Sequence, residues 1–288
     1  MVKDRYSAVW VSHTSLTDFL RCPRAYYLKN LYRDKITGHK IKITAPPLSL
    51  GQAVHEVIEV ISQKPVEERF KESLVARLDQ VWKTVAGKRG GFTDAASEQQ
   101  YKHRAQAMLL RLMKQPGPLA HLTVKINRDL PYYWLSEKDN IILCGKIDWL
   151  EYLETTDSVG VIDFKTGRHQ EEADSQQLAI YYLLVSHCQR RPVSRVSYWY
   201  LEKDIGPQEQ PLPEVDRTTA ALIETAKKIK LARQLSRFKC PHENGCSYCR
   251  PYETILQGRA QLVGQNSFHE DLYILDQPAV EPNKAVIH

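Results

Sequence analysis

The sequence lacks three features that would place it in a special class of protein. It has no apolar run near the ~20 residues that a membrane-spanning helix needs, and its longest runs are short ones such as 178–185. It has no internal repeat and no low-complexity segment. Its 42% hydrophobic and 26% charged residues match the balance of a soluble globular chain. These absences argue against a membrane-spanning, fibrous or disordered protein.

A secretory signal is also missing, because residues 1–10 carry charges and have no apolar core. We therefore expect a cytoplasmic protein without a membrane partner, in which thiols stay reduced. The six cysteines are then not expected to form disulfides, and clustered cysteines indicate a metal or a catalytic role. The net charge of +6 permits a polyanionic partner without requiring one.

The hydrophobic pattern divides the chain into a helical first part and a sheet. Apolar residues recur at helical spacing in four segments, 16–31, 50–61, 70–81 and 101–112, and Pro23 should kink the first helix or mark a break in it. A period of two then predicts strands at 123–126, 132–135, 141–153 and 159–165. A helix at 174–187, a strand at 193–201 and a helix at 218–235 follow.

This pattern predicts an α/β fold with one domain over residues 1–265. A helical insertion is expected at about 62–118, ahead of the strands. Residues 266–288 are polar and contain two prolines near their end, so we expect them to form a C-terminal tail.

Two of the predicted strands carry acidic and basic side chains on one face. Strand alternation puts Asp163 and Lys165 on one side, opposite Phe164, and it puts Lys146 beside Asp148 in the other strand. If these strands are neighbours, Asp148 and Asp163 converge into a site for a hard divalent cation such as Mg²⁺. A nearby lysine can hold or help deprotonate an attacking water. The alternative is a surface hairpin with ordinary cross-strand pairs.

Five short motifs occur in order along the chain: C-P-R-A-Y at 22–26, L-G-Q-A-V-H at 50–55, G-K-I-D at 145–148, D-F-K-T at 163–166 and Q-L-A-I-Y at 177–181. Together they resemble the PD-(D/E)XK nuclease superfamily, in particular its RecB-like branch, which includes CRISPR-associated RecB-like nucleases and the AddB nuclease domain. The resemblance covers roughly residues 13–250. It implies a restriction-endonuclease-like mixed sheet flanked by helices.

The resemblance also implies the roles of the site residues. The catalytic Mg²⁺ or Mn²⁺ would be bound by His55, Asp148, Asp163 and the backbone carbonyl of Phe164. Lys165 would activate the water. Gln177 and Tyr181, one helical turn apart, would position Lys165 and the DNA strand, although a pair at this spacing is also common in helix packing. Both one and two catalytic metals are compatible with the sequence.

Three more cysteines lie close together near the C-terminal end, Cys240, Cys246 and Cys249. A C-x-x-C pair lets two thiolates reach one ion, and a third cysteine in the same loop strengthens the prediction of a metal site. By resemblance to the iron–sulfur subset of the branch, Cys22 is the fourth ligand of a 4Fe-4S cluster that closes the domain. The subset has its short spacing first, whereas this chain has the long one first. A structural Zn²⁺ site, with His242 able to replace a cysteine, is the alternative.

The motifs therefore predict a metal-dependent DNA nuclease, a hydrolase acting on ester bonds. The resemblance implies an exonuclease on single-stranded ends or overhangs, in DNA repair, recombination or CRISPR adaptation. DNA is the expected partner, with a helicase or a CRISPR-adaptation protein as a further one. A second hypothesis is a DNA-end-binding or scaffold subunit of such a complex with little cleavage of its own. A third is a zinc-stabilised nucleic-acid-binding protein.

Overall fold

A computed structural model of the chain describes residues 4–168, 170–171 and 175–275. The α-helices of these residues are α1 His13–Arg21, α2 Pro23–Tyr26, α3 Pro46–Ser62, α4 Leu74–Val85, α5 Ala95–Lys114, α6 Gln177–Cys188, α7 Val215–Gln234 and α8 Arg250–Leu256. The strands are β1 Val9–Val11, β2 Ile41–Ile43, β3 Tyr132–Ser136, β4 Ile141–Cys144, β5 Trp149–Leu153, β6 Ser158–Lys165, β7 Val193–Tyr200, β8 Gln208–Gln210, β9 Ala260–Gln265 and β10 Asp271–Leu275.

The central sheet has four strands in the order β5-β6-β7-β8. Strand β6 pairs antiparallel with β5 and parallel with β7, so the sheet is mixed. A parallel pair needs a crossover, which α6 provides between β6 and β7. Two smaller sheets have the orders β1-β4-β3 and β2-β10-β9. The mixed α/β fold predicted from the sequence is thereby confirmed.

Alternate residues of β6 pack against helices on opposite faces of the central sheet. Ile162 and Phe164 belong to the core that α3, α4 and α5 form on one face. Val159 and Val161 pack on the other face, where Leu178 of α6 joins them. Each such side chain contributes about 1.5–3 kcal/mol relative to an exposed one. Burial on both faces explains why this strand is nearly continuously apolar.

The segment 141–153, predicted as one strand, is two strands in different sheets. β4 pairs with β1 and β3, whereas β5 pairs with β6. Residues 145–148 cross between the sheets, and Gly145 suits this crossing because a Cβ there would lie 3.0 Å from a methyl carbon of Leu184. Lys146 therefore does not share a strand face with Asp148, and it reaches Glu59 of α3 instead. The prediction of one strand was wrong.

Two further predicted elements differ from the structure. Residues 123–126 form an isolated bridge at Thr123 and Glu151 in place of a strand. The segment 271–275, predicted to be part of a tail, is strand β10, because its backbone pairs with both β2 and β9. The tail residues 276–288 and the predicted helix start at Asp174 lie outside the described residues. The predicted insertion at 62–118 contains α4 and α5.

The first helix breaks at Pro23, as predicted. Cys22 ends α1 and also caps α2, whose first residue is Pro23. Proline fits this first position because its missing N–H would have no partner inside the helix. No helix in the part of the chain that the structure describes is long and apolar enough to cross a membrane.

Candidate active site

Asp148 and Asp163 lie opposite each other at one end of the central sheet. Trp149 pairs with Ile162 in the antiparallel ladder of β5 and β6, so the next residues along this ladder are these two acids. Oδ2 of Asp148 accepts a hydrogen bond from the backbone N–H of Phe164 over 3.0 Å. The two carboxylates therefore converge, although Asp148 precedes its strand and is not part of it.

His55 reaches this pair from the middle of α3. Its Nδ1 lies 3.3 Å from Oδ1 of Asp148. Burial lowers the pKa of His55, but the hydrogen bond to Asp148 and the charges of Asp148 and Asp163 together outweigh burial and raise its pKa. Gly51, one turn earlier, allows α3 to approach the end of β6, because a Cβ there would lie 3.1 Å from Oγ1 of Thr166. The L-G-x-x-x-H spacing thus has a packing reason as well as a chemical one.

Asp163 is the most enclosed acid of the site, at 2% exposed. Burial raises its pKa to about 7, and the neighbouring charge of Asp148 acts in the same direction. Oδ1 accepts a hydrogen bond from Nε2 of Gln177 over 2.8 Å. Oδ2 receives no well-directed hydrogen bond from the described residues and lies 3.1 Å from Nζ of Lys165. A buried carboxylate oxygen without a directed hydrogen-bond donor suits a bound cation.

Three oxygens lie within ion-pair or hydrogen-bond distance of the ammonium nitrogen of Lys165. Oδ2 of Asp163 lies at 3.1 Å, Oε1 of Gln177 at 2.6 Å and Oε1 of Glu171 at 2.8 Å. Burial lowers the pKa of Lys165, but Asp163 and Glu171 outweigh it and raise the pKa. Lys165 is therefore held as a cation in this state, so it can orient a water or offset phosphate charge.

Gln177 and Tyr181 belong to the same hydrogen-bonded group, because Nε2 of Gln177 lies 3.1 Å from the hydroxyl of Tyr181. Burial raises the pKa of Tyr181, so its hydroxyl stays protonated. Sequence reasoning missed Glu171, which lies in the loop after β6 and whose N–H donates to the hydroxyl of Tyr200. A loop acid six residues after Lys165 follows neither helical nor strand spacing, so no periodic signal reveals it.

The four predicted cysteine ligands also come together, at the junction of α1 and α2. The sulfurs of Cys22, Cys240, Cys246 and Cys249 all lie within 4.8 Å of one another. Gly245 shapes the loop with φ +75°, in the left-handed region that favours glycine. Four thiol groups at such distances can hold a metal. The remaining cysteines lie elsewhere, Cys144 at the end of β4 and Cys188 at the end of α6.

Comparison with protein families gives the same assignment as the motifs. The family model of the PD-(D/E)XK nuclease superfamily matches residues 10–255. The chain belongs to the PD-(D/E)XK nuclease superfamily. A crystal structure from Eubacterium rectale, described as a "putative exonuclease", has a TM-score of 0.51 and 13% sequence identity, over 93% of this chain and 96% of that chain. This likeness shows a shared fold. Comparison with curated proteins gave no match.

Membership of the PD-(D/E)XK superfamily identifies the chain as a metal-dependent nuclease with DNA as its substrate. The described residues fit that chemistry. A cavity of about 300 Å³ is lined by His55, Asp148, Asp163 and Lys165. Carboxylate oxygens are the ligands that Mg²⁺ and Mn²⁺ prefer, and the enclosed oxygen of Asp163 has room for one more partner. The candidate site thus brings together carboxylates that could hold a divalent metal and the ammonium of Lys165 beside them.

Proposed function

We propose that this nuclease is a Mg²⁺- or Mn²⁺-dependent DNA exonuclease of the RecB-like branch. Its proposed substrates are single-stranded ends or overhangs, in DNA repair, recombination or CRISPR adaptation, with a helicase or an adaptation protein as its partner. The observation that carries the proposal is the position of Lys165, which lies 3.1 Å from Asp163 while Asp163 faces Asp148. A degenerate site would not be expected to keep all three groups together.

The proposed roles follow from the geometry. His55, Asp148, Asp163 and the carbonyl of Phe164 would hold the catalytic metal, which when bound polarises the phosphodiester and lowers the pKa of a bound water. Lys165 would orient that water and offset the charge that develops on the phosphate. Gln177, which donates to Asp163 and accepts from Lys165, would fix the distance between acid and ammonium.

The experiment that tests this proposal uses end-labelled single-stranded and double-stranded DNA, with and without Mn²⁺. We expect metal-dependent loss of label from single-stranded DNA or overhangs, and the end that loses its label gives the polarity. Asp163→Asn and Lys165→Ala should cut about 100–1,000-fold more slowly, the range for loss of one electrostatic catalytic group, while they still bind DNA. If either variant cuts at the wild-type rate, these roles are wrong. Wild-type binding without cleavage in any metal would favour a DNA-end-binding subunit.

We also propose that the four cysteines bind a 4Fe-4S cluster that joins the N-terminal helices to the segment 240–249 and closes a single nuclease domain. Resemblance to the iron–sulfur subset supports the cluster. The sulfur separations favour zinc, because all four sulfurs lie within 4.8 Å of one another and Sγ of Cys246 and Sγ of Cys249 are 3.8 Å apart. Zn–S bonds of about 2.3 Å in a tetrahedron give sulfurs roughly 3.8 Å apart, whereas four sulfurs on four different irons lie farther apart.

The two metals are distinguished by purification under anaerobic conditions. A 4Fe-4S cluster gives brown protein with broad visible absorption and about four irons per chain. Colourless protein with one zinc per chain would refute the cluster and establish the zinc site.

A further inference from the structure

A second cavity of about 390 Å³ adjoins the catalytic one. It lies between α3 and the segment 123–131, and the two cavities share His55, Asp148 and Phe164 as lining residues. We call this second cavity the side groove. Because it opens directly onto the metal ligands, a chain bound in the side groove would present its next phosphate to the site.

We infer that the side groove binds the sugar–phosphate backbone of a single DNA strand next to the scissile phosphate, through Lys125 and Arg128. This inference rests on the proposed function, and it assigns binding residues that none of the five motifs contains. The two side chains lie on the same non-helical segment, three residues apart. At ~3.3 Å per residue for extended backbone, their Cα atoms are at most roughly 10 Å apart.

Two lysines, one arginine and three carboxylates line the side groove, and two of these cations are available to an anionic ligand. Lys125 and Arg128 both line it, and neither has a carboxylate within ion-pair distance among the described residues. Lys146 also lines the groove, but its Nζ lies 2.5 Å from Oε2 of Glu59, so this pair is already neutral. Asp129 is the other lining acid outside the catalytic group. Because Lys125 and Arg128 have no acidic partner in the described part of the chain, they are available to neutralise phosphates of a DNA strand next to the cleavage site.

The environment of the two cations supports this assignment. Burial lowers the pKa of Lys125, and the nearby guanidinium of Arg69 acts in the same direction, so an added anion would relieve repulsion there. The guanidinium of Arg128 lies over the ring of Tyr132, 5.0 Å from its centroid, which restrains the side chain without neutralising its charge.

The wall that carries these residues is preformed. The N–H of Val124 donates to the carbonyl of Leu150 over 3.0 Å, and the N–H of Tyr152 donates to the carbonyl of Leu122 over 2.8 Å. Arg69 adds a bond to Oγ1 of Thr123. A fixed wall loses little conformational entropy when a ligand binds.

The size of the side groove indicates one strand and not a duplex. A volume of 390 Å³ is at the small end of the ligand cavities of proteins, about 300–1,000 Å³. Such a space accommodates a short length of a flexible single strand. A duplex would need a broad open face along which both backbones could be contacted.

The test measures the binding of a fluorescent single-stranded oligothymidylate over a series of salt concentrations in EDTA, where cleavage cannot occur. The variants are Lys125→Gln, Arg128→Gln and the double variant. The matched control is Lys138→Gln, because Lys138 is exposed in the turn between β3 and β4 and lines neither the side groove nor the catalytic cavity. Each lost phosphate contact should reduce the slope of log binding constant against log salt by ~0.7. We expect a several-fold weaker binding for each single variant and wild-type behaviour for Lys138→Gln.

Two results would overturn the inference: a double variant with the wild-type slope, or a slope change that appears with duplex DNA and not with the single strand. These outcomes are separable from failure of the proposed function. If the wild-type protein cuts DNA and the double variant shows the wild-type salt dependence, only the role of the side groove is refuted. Wild-type protein that binds DNA through Lys125 and Arg128 but cuts nothing refutes the nuclease proposal and retains the side groove.

Discussion

Gln177 donates a hydrogen bond from Nε2 to Oδ1 of Asp163 over 2.8 Å. The other end of the same amide, Oε1, accepts from Nζ of Lys165 over 2.6 Å. A buried acid needs a donor and a buried ammonium needs an acceptor, and an amide supplies one of each. Gln177 is thus a positioning residue that sets the geometry of the two groups assigned to the reaction.

We predict that Gln177→Glu lowers kcat by about 10–100-fold, the range for a partner that orients a metal ligand. Glutamate keeps the acceptor for Lys165 but loses the donor to Asp163 and adds a negative charge beside it. The measurement is kcat on end-labelled DNA together with the Mn²⁺ dependence, which should shift because the acid is no longer oriented. Gln176→Glu is the control, since Gln176 is the N-cap of α6 and does not line the catalytic cavity. Equal losses in both variants would argue against positioning by Gln177.

The raised pKa of Asp163 predicts that protons compete with the catalytic metal. Burial puts this pKa at about 7, and a metal binds the ionised carboxylate, so metal binding must release the proton wherever the acid is protonated. Below pH 7, the apparent Mn²⁺ affinity should therefore fall about tenfold per pH unit for one coupled proton. Above pH 8 it should be nearly constant. Titration calorimetry at pH 6 and pH 8 in buffers of different ionisation enthalpy measures the protons released.

The variant Asp163→Asn provides the control for this linkage. It has no carboxyl proton to lose at this position, so its residual Mn²⁺ binding should depend less steeply on pH and should release fewer protons. A proton release that is the same in wild type and variant would assign the linkage to another group, such as His55.

The sequence predicted the acid and lysine positions because they depend on strand alternation, which is a local property. Asp163 and Lys165 share a face of β6 as expected. The convergence of Asp148 with Asp163 was also predicted correctly, although 141–153 is not one strand. It holds because Asp148 directly precedes β5 and so keeps its place in the β5–β6 ladder.

Features that depend on contacts between distant segments could not be predicted from the sequence. Glu171 reaches Lys165 from a loop, and β10 owes its position to partners more than 200 residues apart, β2 and β9. The side groove likewise arises where the segment 123–131 crosses beside α3. None of these positions follows from a repeat of two or 3.6 residues. The grouping of Cys240, Cys246 and Cys249 was expected because a C-x-x-C spacing with a third nearby cysteine indicates a metal site. Cys22, more than 200 residues away, was added by the family resemblance, and its sulfur does lie beside the other three.

Removal of one cysteine ligand should unfold the protein at lower temperature. Cys249→Ser leaves three thiols of the group and should lose the bound metal. A metal present at about 100–1,000 times its dissociation constant stabilises a fold by about 3–4 kcal/mol, which corresponds to roughly 6–16 °C in the midpoint of a chain near this size. Metal content and calorimetry measure both effects. Cys188→Ser is the control, because Cys188 lies outside the group and should leave the metal content unchanged.

Arg69 is a buried cation held by oxygen acceptors other than carboxylates. It is 2% exposed and donates to the carbonyls of Leu119 and His121 over 2.8 and 2.6 Å and to Oγ1 of Thr123 over 3.1 Å. Its guanidinium lies over the ring of Trp149, 5.0 Å from the centroid. Arg69 therefore joins the helical segment 62–118 to the residue that follows Asp148.

We predict that Arg69→Lys lowers the free energy of unfolding by about 2–4 kcal/mol. Lysine has no planar fork, so it cannot reach these acceptors together, and each buried carbonyl left without a donor costs about 1–3 kcal/mol. Urea unfolding measures the loss. The control is Arg77→Lys, because Arg77 pairs with Glu72 at the surface, where such pairs contribute about 0–1 kcal/mol. If both variants lost the same stability, the prediction would be wrong, because the oxygens around Arg69 would not require a guanidinium. The segment 119–123 would then depend on its backbone hydrogen bonds to β5 alone.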